Sequence, residues 1–137
     1  MPKHYKKEFT YKGRRCKIVR DSGLGHYCGY IRTGLRGNIN SVENKLYRLI
    51  DVHGGITYGV DEEGWVGFDT AHARDINKDE EGNITNQDAL YDEDDEKSTI
   101  WTPEIVREEI EDLADQWESL EKTVHSASKF DYGEDDE

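Results

Sequence analysis

Hydrophobic and polar positions alternate weakly over Lys7–Arg20, with Phe9 and Tyr11 on one side of a Lys12-Gly13 turn and Cys16 and Ile18 on the other. Period-two alternation around a two-residue turn predicts a β-hairpin. The lysines and arginines at the intervening positions make its other side solvated or phosphate-facing. Asp21–Gly25 reads as a turn. His26–Arg32 is a third strand, with Tyr27, Gly29 and Ile31 on one face and His26, Cys28 and Tyr30 on the other. Apolar groups on both faces predict cover on both sides. After a glycine- and asparagine-rich loop over Thr33–Asn44, the segments Leu46–Val52, Ile56–Val60 and Trp65–Asp69 continue the pattern. They predict an antiparallel meander in which Gly54-Gly55 makes a bend or bulge.

The period then changes. Thr102-Pro103-Glu104 is a helix start: a hydroxyl to accept an orphan N–H, a proline at the first position, and carboxylates at the positive end of the dipole. Val106, Ile110, Leu113, Trp117 and Leu120 follow at helical spacing and form one stripe, carrying the helix to about Lys122. The stripe predicts packing on the sheet; a homodimer seam through the same helix is the alternative. Glu108, Glu109, Asp112, Asp115 and Glu118 form a solvated acid face. The fold class is α+β: an antiparallel sheet of about five strands with one long C-terminal helix on a face. Residues 1–123 are one domain with an acidic exposed loop at about 77–99, and 124–137 are an acidic, disordered tail.

Composition narrows the setting. A chain of 137 residues with 36% charged and 34% hydrophobic residues builds one modest core. Cys16 and Cys28 have neither metal spacing nor a disulfide framework, so a reduced intracellular chain is expected. A polar N-terminus and the lack of an apolar run of about 20 residues predict a cytoplasmic protein with no membrane contact. The net charge of −13 is unevenly spread. Residues 1–60 carry twelve basic side chains against four acidic ones, and residues 61–137 carry six against twenty-seven. Three readings follow: halves that attract each other, a basic surface for phosphate or nucleic acid, or an acidic surface that mimics nucleic acid. Direct nucleic-acid binding is disfavoured by the overall charge.

The chemistry concentrates in Asp51–Asp75. Successive glycines free the backbone and let its N–H groups form a nest for an anion, so His53-Gly54-Gly55 suits a phosphate or carboxylate. Thr57 and Tyr58 add hydroxyls beyond the bend, and Arg14, Arg15 and Arg32 are candidate phosphate contacts. Asp69, His72 and Asp75 are three apart, so one helical turn would align them. With His53 they form a candidate metal set of two imidazoles and two carboxylates, or a His–Asp acid–base pair. The plainer readings are a cap by Asp69, a backbone hydrogen bond by His72, and an ion pair of Asp75 with Arg74 or Arg48. Asp75-Ile76-Asn77-Lys78-Asp79 has the opening of a calcium loop, but Glu80 stands where that loop requires glycine. Cys28 beside His26 or His53 is a remote candidate nucleophile. Tyr27, Tyr30, Tyr58, Trp65 and Phe68 are either core or stacking platforms.

The runs His26-Tyr27-Cys28-Gly29-Tyr30, Val52–Tyr58 and Gly67–Asp75 together resemble a family of small, functionally uncharacterised proteins of phages, prophages and plasmids. Those proteins share an HxCGY…VHGGxTY…GFDxAHxxD signature followed by a C-terminal helix, and the resemblance covers about residues 26–120. It brings no catalytic role with it. It implies a mobile-element setting, where small acidic proteins block host defence. The leading expectation is a protein that binds a phosphorylated small ligand or a host defence component, without catalysis and without a required cofactor. A metal-dependent hydrolase built on the His/Asp cluster, with a divalent ion, and an acidic nucleic-acid mimic are the alternatives.

Overall fold

The structure is a computed structural model that describes residues 4–20, 23–34, 45–86 and 96–131. Strands β1 (Tyr5–Tyr11), β2 (Arg14–Arg20), β3 (Tyr27–Arg32) and β4 (Trp65–Asp69) form an antiparallel sheet in that order. The hairpin pairs Tyr11 with Arg14 across two residues, Lys12 (φ 53) and Gly13 (φ 82). Two successive positive φ values give the turn the twist that adjacent strands need. A separate parallel pair, β5 (Asp75–Asn77) with β6 (Thr99–Trp101), lies beside the sheet. One long helix, α1 (Pro103–Asp131), packs on the sheet and completes an α+β fold.

The helix begins as its sequence predicts. Thr102 Oγ1 accepts from Ile105 N at 3.3 Å, and the Thr102 carbonyl accepts from Val106 N at 2.9 Å. Val106, Ile110, Leu113 and Trp117 enter the core with Ile18, Ile31, Phe68 and Trp101. The stripe thus packs inside the chain, with Leu120 partly buried against the same core. The helix continues past Lys122 to Asp131, through part of the stretch expected to be a tail. At Gly29 the helix comes so close that an added Cβ would lie 2.7 Å from Ile110 and Phe68. Tyr27, Gly29 and Ile31 therefore face α1, and Cys28, Tyr30 and Arg32 face away.

The meander differs between β3 and β4. Lys45–Leu49 is a 3-10 turn, not a strand. Ile56–Val60 contributes only the isolated bridge of Tyr58 to Gly67. Tyr47, Ile50, Val52, Ile56 and Val60 are nonetheless buried, so this stretch supplies core side chains from irregular backbone. Residues Asp69–Asp75 also differ from expectation: a tight turn, closed by Asp75 N to His72 O at 2.9 Å, replaces the helical turn. Beyond it, Thr85 and Asn86 are buried inside the region read as exposed loop. Residues 35–44 of the Thr33–Asn44 loop, the run Asp92–Asp95 and residues 132–137 of the tail lie outside the described residues.

Asn77 locks the parallel pair to the sheet. Its side chain is fully buried; Oδ1 accepts from Tyr27 N at 3.0 Å and from Thr70 Oγ1 at 2.6 Å. Its backbone N–H donates to Asn86 Oδ1 at 2.8 Å, and Asn86 Nδ2 donates to the Asp75 carbonyl at 3.0 Å. Buried polar atoms are costly unless partnered, so this net fixes β5, and Asp75 with it, against β3.

Candidate functional site

Three segments meet at one buried carboxylate. Asp75, 2% exposed, opens β5. Its Oδ1 accepts from Trp101 Nε1 at 3.0 Å, and His53 Nε2 lies 2.9 Å from Oδ1 and 3.0 Å from Oδ2. Its Oδ2 accepts from the His72 backbone N–H at 3.0 Å and lies 2.9 Å from His72 Nδ1. Burial alone would push the Asp75 carboxyl up; hydrogen bonds from His53, Trp101 and the backbone and ring of His72 outweigh it and bring it to about 2. An ionised carboxylate only accepts, so each ring presents a proton to it. The same hydrogen bond raises the pKa of His53 against the opposing effect of burial.

The local sequence explains why the rings converge. Gly55 N donates to Val52 O at 2.7 Å, closing a turn with His53 and Gly54 at its centre. Gly54 has φ +71, and a Cβ there would lie 2.3 Å from His72 Cε1. Glycine is required twice over, for the left-handed backbone and for the His72 ring laid against it. The rings of His53 and His72 stand edge to face, 5.0 Å apart at 83°. Helix α1 clamps the loop: Glu109 Oε2 accepts from His53 N at 2.8 Å, while Gln116 exchanges hydrogen bonds of 2.7 and 2.8 Å with the Asp51 backbone. Glu109 is therefore a tether and not part of a purely solvated acid face.

His53, His72 and Asp75 each offer a ligand atom, all within 4.8 Å of one another. Asp69 stands one step out, its Oδ1 3.9 Å from His72 Nε2 while accepting from Ala71 N at 3.0 Å. It caps its turn and backs the histidine from outside the cluster. A metal-bound imidazole is commonly backed in this way by a carboxylate on its other nitrogen. Asp75, Asp69 and Glu109 surround two imidazoles, so the local charge favours a cation over a phosphate.

The other expected residues lie elsewhere. Thr57 is exposed; Tyr58 sets its hydroxyl on Asp61 at 3.1 Å and its ring edge-on to Tyr30, on the face turned away from α1. Gly55 has nothing within 4 Å of an added Cβ. Arg14 donates to the Arg32 carbonyl at 2.8 Å and to Glu121 at 2.9 Å. Arg15 pairs with Glu8 at 3.2 Å, and Arg32 Nε donates to the Glu63 carbonyl at 2.9 Å. These arginines line a cleft of ≈ 400 Å³ with Lys12, Glu118 and Glu121. Along α1, Glu118–Glu121 is about 14–18 Å from Glu109 at 1.5 Å per residue, so the cleft and the imidazole pair are separate places.

The calcium-like residues disperse too. Asp75 serves the histidines, Asn77 the buried net, and Asp79 accepts from Glu81 N and Asn83 N at 2.9 Å within its own turn. Among the described residues, Asp75 is partnered by His53, His72 and Trp101 in place of the ion pair with Arg74 or Arg48. Of the candidate nucleophile and its partners, Cys28 lies on the strand face turned away from α1, and His26 Nδ1 lies 3.1 Å from the Thr70 carbonyl and 3.4 Å from Asn77 Nδ2. Sequence reasoning missed Trp101, Glu109 and Gln116, which lie far along the chain with no spacing to mark them. Comparison with family models, curated proteins and solved structures finds no match. Among the described residues, no helix is long and apolar enough to cross a membrane.

Proposed function

We propose that the protein holds a divalent first-row transition metal on His53, His72 and Asp75 and uses it as a small metal-dependent hydrolase of phosphorylated ligands. The observation that carries this reading is the convergence of two imidazoles and one buried carboxylate within 4.8 Å, in a surround of further carboxylates. Three protein ligands leave coordination positions for water and substrate, the arrangement of catalytic ions and not of closed structural ones. The bound ion would lower the pKa of its water and neutralise charge on a phosphoryl oxygen. In the mobile-element setting that the resemblance implies, the substrate would be a phosphorylated small molecule of the host's defence.

A second reading keeps the leading expectation: the same ligand class, or a host defence component, is bound without metal and without turnover. It is favoured by the hydrogen bonding of Asp75, which is complete at 2.9–3.0 Å from protein donors alone. Calorimetric titration of chelator-treated protein with Mn²⁺, Co²⁺ and Zn²⁺ separates the two. The first reading expects one ion per chain, lost in Asp75→Asn, and metal-dependent release of phosphate from a nucleotide panel. Absence of ion binding, with nucleotide bound intact by the metal-free protein, would establish the second.

A further inference from the structure

Trp101 touches two of the three candidate ligands. It is 3% exposed, its indole N–H donates to Asp75 Oδ1 at 3.0 Å, and its ring lies 4.7 Å from that of His53 at 62°. It is fixed in turn by β6, where it stands beside Asn77 in the parallel pair and its carbonyl accepts from Lys78 N at 2.8 Å. Packing alone does not call for the N–H: Trp117, 1% exposed in the same core, buries an indole N–H with no hydrogen-bond partner. The two tryptophans thus fill space alike and differ in what the nitrogen does. At Asp75 the indole proton is the one ring donor that no metal can displace, because indole is a donor only. Imidazole nitrogens exchange their protons for an ion; Trp101 Nε1 does not.

We propose that Trp101 is the positioning residue of the metal centre: it holds Oδ1 of Asp75 by its N–H, as the His72 backbone N–H holds Oδ2, and it braces the His53 ring, so that the carboxylate and the imidazole are kept facing the ion. The inference rests on the metal reading above. Groups that orient a ligand from behind are worth about 10–100-fold in metal affinity. Trp101→Phe keeps the ring and removes the donor, and is expected to weaken Co²⁺ or Zn²⁺ binding at least tenfold and to change the Co²⁺ absorption bands. Trp117→Phe is the matched control and should bind as the wild type does.

If wild-type protein binds no ion, the metal reading fails and takes this one with it. If it binds an ion and Trp101→Phe binds equally well with an unchanged spectrum, the metal reading stands and the positioning role is overturned. Should Trp101→Phe not fold, indole ¹⁵N–¹H resonances of the wild-type protein decide. The Trp101 signal should be protected from exchange and move on Zn²⁺ addition while that of Trp117 stays in place. A Trp101 signal that is unprotected and unmoved by a bound ion would overturn the proposal.

Discussion

Two regions attracted the same expectation of ligand binding, and they are built on opposite plans. Around Asp75, side chains from a loop, a turn and a strand end face one point, where His53 Nε2 and His72 Nδ1 each come within 2.9 Å of the carboxylate. In the arginine cleft each cation is already engaged: Arg14 with Glu121 and a carbonyl, Lys12 with Asp115 at 3.1 Å, Arg32 with the Glu63 carbonyl. The first region gathers potential ligand atoms at one point, while the second joins the basic hairpin to the acidic helix. The unequal charge of the two halves is thus used, in part, to hold them together. A residue type suited to phosphate is weak evidence until its existing partners are known.

The sharpest way to break this contrast is at Asp75. Asp75→Asn removes the charge, turns one of the two acceptors into a donor facing either Trp101 or the His72 N–H, and should abolish ion binding. Leaving buried donors without their acceptor should also cost about 3 kcal/mol in urea unfolding. Retained affinity would move the ion elsewhere.

The paired glycines come next. Gly54→Ala drives a methyl into the His72 ring and should cost about 2 kcal/mol and at least tenfold in metal affinity. Gly55→Ala shares the unfavourable φ (+79) but meets open space, so it should lose about 1 kcal/mol of stability and keep its affinity. Equal affinities in the two would remove the steric role of Gly54. Arg14→Ala, in the cleft, should lose about 1 kcal/mol by breaking a half-buried ion pair, with metal and nucleotide titrations unchanged. A large loss of nucleotide binding there would restore the cleft as a phosphate site. The smallest effects are expected from Asp69→Asn, about threefold in affinity because 3.9 Å is long for a direct bond, and from Arg15→Ala, below about 0.5 kcal/mol at an exposed pair.

What could be read in the chain was local. The Lys12-Gly13 turn, the alternation of β3 and the capped, striped helix each announce themselves within a few residues. The His72–Asp75 spacing likewise foretold a cluster, although a tight turn makes it and not a helix. The segment Leu46–Val60 misleads because its apolar residues fit a strand equally well, while the positive φ values at Gly54 and Gly55 turn the backbone out of extended geometry. Strands β5 and β6 are three residues each, too short for a period, and pair across more than twenty positions. Trp101 and Glu109 reach the centre through that same long-range assembly, and no neighbour in sequence marks them.

Gly29 shows how far such assembly extends. A Cβ there would meet Ile110 and Phe68, so its missing side chain sets how deeply α1 settles at Ile110. Glu109, the next residue, is the one that grips the His53 backbone. A methyl group added at position 29 would therefore be felt first as a lifted helix and then as a slackened loop. Inherited change at this strand position and at the loop should not be independent: a variant that fills Gly29 survives only where the helix has found another way to hold His53 in place.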